Sequence, residues 1–376
     1  MRTVHEEGTM YAKAAVLYEA GTPLRLEEVE VLPPQGGEVQ VRMYAGGVCH
    51  SDLHVMKGDL VMPMPIILGH EGSGIVERVG AGVTAVQPGD HVIPIWRVSC
   101  GTCEYCTGGR PALCDVGTQM RVTGLMPDGT TRFRVNHTPV RHFAGVSTFA
   151  QLSTMPEAAV LKIPADFPLD KAALLGCGVI TGVGAVVNAA KVRMGSSVAV
   201  FGCGGIGLNA VQGARIVGAL KIIAVDVAPQ KLEYAQQMGA THLVDAAQED
   251  PVAAIKELTG GRGVDYAFEA IGMTKTIEQA YAATRKMGTC VVIGVTRADV
   301  RVQINANEMV YAEKTLMGSL YGSSRPRIDI LNLIEMYQSG KLWLDELLTR
   351  TYPLEQINTA YAALERGEVA RSLVLA

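Results

Sequence analysis

The chain has 376 residues, 48% of them apolar and 19% charged, with a formal net charge of -4. That balance suits a soluble protein of two domains and excludes the basic field that nucleic acid or an anionic membrane demands of a partner. Met1–Tyr11 carries Arg2, Glu6 and Glu7 without an apolar core, so no signal peptide is read there; no run of membrane-spanning length is read further on, and a cytoplasmic location is expected.

In chain order, short β-type runs come first: Val39–Tyr44, Gly74–Val79 and His91–Ile95, separated by glycines and prolines such as Pro88-Gly89-Asp90. They predict an antiparallel, partly barrel-like domain. Four of the 8 cysteines, Cys100, Cys103, Cys106 and Cys114, then crowd into one loop, while Cys49, Cys177, Cys203 and Cys290 are scattered. Clustered thiols in a long chain hold metal more often than they form a disulfide framework. Four closely spaced sulfurs close a tetrahedral zinc shell with no open position, which marks a structural site. An iron–sulfur cluster is the competing reading, weakened by the missing proline after Cys114 and the lack of a second cysteine set. Arg97, Arg110 and Arg121 are too few for a zinc ribbon on nucleic acid. Cys49, His70 and Cys177 add two thiolates and an imidazole, a three-ligand zinc shell whose fourth position takes water or a substrate oxygen. Sequence alone does not bring these three together, and buried cysteines and satisfied histidines are common.

From Ser197 the pattern alternates. Ser197–Phe201, Ile222–Asp226, His242–Asp245, Val264–Ala270 and Cys290–Val295 read as strands, with Thr315–Leu320 as a sixth. Helical stretches Gly207–Gly218, Gln230–Met238, Val252–Leu258 and Ile277–Arg285 lie between them. This predicts an α/β fold: right-handed crossovers and a doubly wound parallel sheet of Rossmann type. Gly202, Gly204 and Gly207 form G-x-G-x-x-G between the first strand and its helix, where a pyrophosphate sits on the helix N-terminus. Asp226 ends the second strand, placed to bind ribose hydroxyls and to repel a 2′-phosphate, so NAD is expected over NADP. Lys231 is a further ribose candidate, although a lysine early in a surface helix is usually just solvated. From Ile328 onward the tail reads as two helical stretches around a strand-like Thr349–Leu354.

Together these motifs resemble the zinc-dependent medium-chain dehydrogenase/reductase family, and within it the alcohol dehydrogenases. The resemblance runs from about Ala12 to Ala376 and rests on Gly-x-Cys49-His50-Ser51-Asp52, Gly69-His70-Glu71-x-Gly-x-Gly-x-Val, the four-cysteine loop and Gly202-x-Gly204-Gly205-x-Gly207. Gly124-Leu-Met-Pro-Asp128-Gly-Thr-Thr-Arg132-Phe and His142-Phe-Ala-Gly-Val-Ser147-Thr-Phe are similar to the liver-type, long-loop subgroup. It implies a GroES-like catalytic domain from residues 1–178 and 321–376, an NAD-binding Rossmann domain from 179–320, and an active site in the cleft between them. It also implies two zinc ions per chain, with Cys49, His70 and Cys177 holding the catalytic one.

By the same resemblance Glu71 stands behind that metal and Asp52 orients His70. Ser51 takes the alcohol proton and His54 relays it, although Ser51, Asp52 and His54 also suit helix caps. His50 and Arg371 reach the pyrophosphate, Thr181 packs beside the nicotinamide, and Leu60, Trp96, Phe143, Val295 and Leu320 line the channel, Val295 also at the cofactor. The implied reaction is reversible oxidation of primary aliphatic or aromatic alcohols to aldehydes, with zinc as Lewis acid. Leu60 and Thr118 stand where the thiol-dependent formaldehyde dehydrogenases carry charge, which argues against glutathione dependence. A relative that retains its nicotinamide and a non-catalytic zinc protein are the remaining alternatives. A homodimer is expected, with a homotetramer as the alternative, joined edge to edge through Cys290–Val295 and Met309–Leu316.

Overall fold

A computed structural model describes residues 8–376; residues 1–7, and with them most of the Met1–Tyr11 reading, lie outside the described residues. The chain divides into two compact units. The first comprises Met1–Cys177, Arg325–Ile334 and Leu348–Ala376, the second Gly178–Ser324 and Glu335–Leu347.

In the first unit several strands are buried on both faces, Leu152–Pro156 throughout and Glu38–Gly47 everywhere except Arg42 and Tyr44. Met10–Leu17, Arg25–Val31, Phe133–Val135, Thr138–His142 and Ile66–Ile67 close into a small barrel. Beside it runs a second sheet in the order Val160–Lys162, His91–Pro94, Gly72–Val79, Glu38–Gly47, Arg371–Leu375 and Leu348–Pro353, with Leu152–Pro156 also pairing Glu38–Gly47. Glu38–Gly47 outruns the expected Val39–Tyr44 because Ala45, Gly46 and Gly47 pair with Leu375, Val374 and Leu373 from the far end of the chain. The three β-runs read from sequence are all strands, and the closed barrel accounts for the GroES-like character.

His142, wholly buried, packs its ring 4.6 Å from Phe133 and accepts the Arg132 backbone N–H through Nε2 at 3.0 Å. Burial, reinforced by the Arg132 charge, pushes its pKa down to about 3, against about 6.5 in an unfolded chain. Between those values the unfolded chain binds the extra proton, so this contribution to stability is complete above about pH 6.5 and is lost as pH falls toward 3. The expected result is that His142→Gln, whose amide oxygen can take the same N–H, flattens the fall of the unfolding free energy measured in urea from pH 6.5 downward by up to ~1.4 kcal/mol per pH unit. A variant as acid-sensitive as the wild type would show that His142 is not the titrating group.

The second unit holds one parallel sheet of six strands in the order His242–Asp245, Lys221–Asp226, Ser197–Phe201, Val264–Glu269, Thr284–Val292 and Thr315–Gly318. This 3-2-1-4-5-6 order is the doubly wound Rossmann arrangement. Its core joins Phe201, Ile223, Val225, Ala267 and Cys290 from the strands to Ile255, Ala280 and Tyr281 from covering helices. Two expectations need correction. Cys290 cannot lie on a sheet edge, because its strand is paired on both sides; Thr315–Gly318 is the edge, and Met309 is helical. The helix Leu169–Ala189, unread in the sequence, has 21 residues and is apolar enough to cross a membrane, yet it is mostly buried inside the protein, as a core helix is.

Candidate metal and nucleotide sites

Two donor groups gather among the described residues. In the first, Cys49, His70, Glu71 and Cys177 are all buried and present donor atoms within 4.8 Å of one another. Cys49 stands at the N-terminal boundary of the helix His50–Lys57, in extended conformation. His70 and Glu71 precede the strand Gly72–Val79, and Cys177 lies in the π-turn Leu175–Val179. A π-turn widens the helix locally and re-aims a side chain, a device frequent at functional sites.

His70 Nε2 lies 3.3 Å from Cys177 Sγ, and His70 Nδ1 lies 2.9 Å from Asp52 Oδ2. Asp52 Oδ1 accepts the Gly69 N–H at 2.8 Å, and the helix His50–Lys57 has no side-chain cap. Ser51 and Asp52 are therefore not its N-caps. Ser51 Oγ is 3.8 Å from Cys49 Sγ, and His50 is exposed at the first helical position. Arg371, expected at a pyrophosphate, donates to Glu71 Oε2. Glu71 Oε1 is 4.0 Å from His70 Nε2 and, though buried, has no hydrogen-bond partner.

The electrostatics are strained in one direction. A hydrogen bond from Cys177 holds the Cys49 thiol well below its ordinary pKa, and the same bond, with burial, pushes Cys177 up. Burial works against a charged His70, yet Asp52 and Cys49 outweigh it and raise that ring's pKa. Burial lifts Glu71 to about 7 despite Arg371. Two thiols, an imidazole steadied by a carboxylate and an orphaned buried carboxylate oxygen satisfy one another poorly, whereas a divalent, borderline-soft cation satisfies them together. The donor set fits zinc.

The second group is Cys100, Cys103, Cys106 and Cys114, with sulfurs also within 4.8 Å of one another. Backbone N–H groups of Thr102 and Cys103 point at Cys100 Sγ at 3.5 and 3.3 Å, and that of Cys100 at Cys114 Sγ at 3.3 Å. Hydrogen bonds from Thr102 lower the Cys100 pKa to about 6, while burial raises Cys106 to about 12. Four sulfurs braced by amides leave no place for substrate.

Around His70, the Trp96 and Phe143 rings each lie 5.6 Å away, edge-on at 78° and 84°. Leu60 packs on the core that contains Phe143. From sequence, Arg97 counts only as a contact for nucleic acid. It is buried, stacks its guanidinium 5.5 Å from the Trp96 ring, and donates to Thr118 Oγ1 at 3.1 Å. No sequence motif marks that contact. Thr181, Val295 and Leu320 belong to the second unit, Thr181 buried and the other two exposed.

In that second unit, Gly202 has φ 91° and its carbonyl would stand 1.7 Å from a Cβ on Gly207, so both positions require glycine. A Cβ on Gly204 would meet nothing within 4 Å, which leaves the open cradle a pyrophosphate occupies before the helix Gly205–Ile216. Asp226 is buried, accepting Cys203 N–H at 2.8 Å through Oδ2 and Val227 and Ala228 N–H at 2.8 and 3.0 Å through Oδ1. Its carboxylate thus builds the turn as well as facing it. Lys231 lies in the helix Pro229–Gln237. These residues fit a dinucleotide.

A GroES-like barrel with a thiol–imidazole donor set, joined to a Rossmann unit, defines a zinc-binding dehydrogenase. The alcohol dehydrogenase GroES-like domain family matches residues 35–165, and the zinc-binding dehydrogenase family matches residues 205–339. The NDMA-dependent alcohol dehydrogenase of Amycolatopsis methanolica is 42% identical over 97% of this chain and 99% of its own. An alcohol dehydrogenase class-3 from Cereibacter sphaeroides is 41% identical over 97% of this chain and 100% of its own. The crystal structure of benzyl alcohol dehydrogenase from Acinetobacter calcoaceticus superposes with a TM-score of 0.93 at 36% identity, covering 97% of this chain and 99% of that one. The chain belongs to the zinc-dependent alcohol dehydrogenases of the medium-chain family. Its activity is alcohol oxidoreduction with zinc and a nicotinamide cofactor.

Proposed function

We propose that the chain is an NAD-linked dehydrogenase of primary alcohols, aromatic ones included, and that it belongs to the liver-type, long-loop subgroup. The gathering of Cys49, His70 and Cys177 around a buried, unsatisfied Glu71 oxygen carries the reading. Cys49, His70 through Nε2, and Cys177 would hold the reactive zinc, with Asp52 steadying Nδ1 and Arg371 balancing Glu71. When bound, zinc supplies Lewis acidity to the alcohol oxygen and the nicotinamide ring takes the hydride. Ser51, beside Cys49, accepts the alcohol proton, and His54, one helical turn on, delivers it to solvent. Trp96 and Phe143 offer flat apolar walls, which favour benzyl alcohol over a polyol. Cys100, Cys103, Cys106 and Cys114 would hold a second, structural zinc.

The test is NADH absorbance with benzyl alcohol and free NAD on metal-analysed protein, before and after chelation. NADH formed with two zinc ions and abolished by chelation supports the reading. Disproportionation of alcohol and aldehyde without free NAD would replace it with a retained nicotinamide.

Asp226 supports NAD through its negative charge at the end of the strand Lys221–Asp226. Asp226→Asn keeps one oxygen acceptor for the turn and removes the charge. The ratio of kcat/KM for NADP to that for NAD is expected to rise about tenfold, the worth of ~1.4 kcal/mol of lost repulsion. An unchanged ratio would place cofactor selection elsewhere.

A further inference from the structure

The helix that carries Ser51 and His54 ends in a turn with an acidic side chain that the relay as read above does not use. His50–Lys57 stops at Gly58, whose backbone is left-handed at φ 82°. The Gly58 N–H bonds back to the Val55 carbonyl, and the Leu60 N–H to the His54 carbonyl, each at 3.1 Å. A side chain at 58 would be strained in that conformation, so the glycine makes the reversal. The reversal carries Asp59 back over the last helical turn, and Asp59 Oδ2 lies 3.1 Å from His54 Nδ1.

Lys57, on the same helical turn, is engaged elsewhere: its Nζ lies 2.6 Å from Glu365. The side chains of His54 and Asp59 are 33% and 38% exposed, so the pair stands at the border with water. An ion pair so exposed adds little to stability. What a carboxylate on one imidazole nitrogen does is select the tautomer and hold the ring plane.

We propose that Asp59 is a positioning residue for the proton relay. Its carboxylate accepts the His54 Nδ1–H, which leaves Nε2 as the ring's only basic nitrogen. During alcohol oxidation a proton arriving through Ser51 binds Nε2, and the ring carries two N–H bonds while it faces Asp59. Transfer of the Nε2 proton to water restores the neutral ring, so each alcohol oxidised delivers one proton to solvent and one hydride to the nicotinamide. Asp59 acts only as the acceptor of the Nδ1–H. The proposal rests on the relay role of His54 stated above.

The experiment is a double-mutant cycle on the zinc-loaded enzyme. Benzyl alcohol oxidation by NAD is followed in wild type, His54→Gln, Asp59→Asn, the double variant and Asp59→Glu, with zinc content and melting temperature as checks on folding. Asp59→Asn is expected to lower kcat by up to about tenfold with KM unchanged. Added to His54→Gln it should lower kcat no further, since both substitutions act on one step. Asp59→Glu should recover most of the rate. A loss from Asp59→Asn that persists undiminished beside His54→Gln overturns the proposal, as does a wild-type rate for Asp59→Asn while His54→Gln is slow. A wild-type rate for His54→Gln overturns the relay reading itself, and the two failures are thereby distinguished.

Discussion

Cys177→Ala is expected to cut the zinc content from two ions per chain to one and to lower kcat/KM for alcohol oxidation by about a thousandfold or more. The argument starts from the donor set. Cys49, His70 and Cys177 present donor atoms within 4.8 Å of one another in a buried site, and alanine at 177 leaves one thiol and one imidazole beside the Glu71 carboxylate, which Arg371 already engages. Two ligands do not close a zinc shell, which in catalytic sites takes three protein donors. The Lewis acidity lost with the ion is worth several kcal/mol at the alcohol oxygen, and ~4 kcal/mol is about a thousandfold in rate. The four-cysteine loop should keep its own ion, so the protein stays folded and metal analysis separates the sites. Cys290→Ala is the control: that thiol is buried between paired strands and touches neither group. Full zinc and full activity in Cys177→Ala would remove Cys177 from the ligand set.

Legibility in the sequence followed how local each signal was. The Rossmann strands and the four-cysteine loop are contiguous patterns, and each was readable within a few residues of its position. Boundaries slipped where pairing is set from afar. The strand Thr284–Val292 starts six residues before Cys290, where Thr284 pairs with Val264 across a bulge. The strand Arg371–Leu375 was unread because it is held between Leu348–Pro353 and Ala45–Gly47, the latter more than 300 residues earlier. The helix Leu169–Ala189 contains two π-turns, Leu175–Val179 and Ala185–Ala189, and is apolar on nearly every side, so no 3.6-residue stripe marks it. Cys177 sits in the first of those turns, so its residue type made it a candidate ligand while no periodicity tied it to Cys49 and His70. Asp226 was read only as a ribose acceptor, whereas three backbone N–H groups already bond to it. The Asp59–His54 pair depends on one left-handed glycine, a cue visible only once the helix end is known.

Glu71→Gln is expected to destabilise the protein by about 1–3 kcal/mol, the pairing lost at Arg371 outweighing the desolvation that burial imposes on the Glu71 carboxyl. Glu71 is fully buried and Arg371 only 5% exposed, and the two are joined by a charge-assisted hydrogen bond. Burial acts against the Arg371 cation, and the Glu71 charge outweighs it to hold the guanidinium charged. Glutamine keeps an oxygen for the hydrogen bond and removes the charge, so a buried cation is left without its counterion. Arginine has no neutral form to escape into at accessible pH. The cost falls on a structurally sensitive place, because Arg371 opens the strand Arg371–Leu375 that pairs with Glu38–Gly47. Replacing both partners, Glu71→Met with Arg371→Leu, removes the ion pair and its desolvation together and should recover most of the loss in urea midpoint. If Glu71→Gln costs under about 1 kcal/mol, the pair is screened as a surface bridge would be. If the double variant is as unstable as the single one, the loss belongs to packing around the strand and not to an unpaired charge.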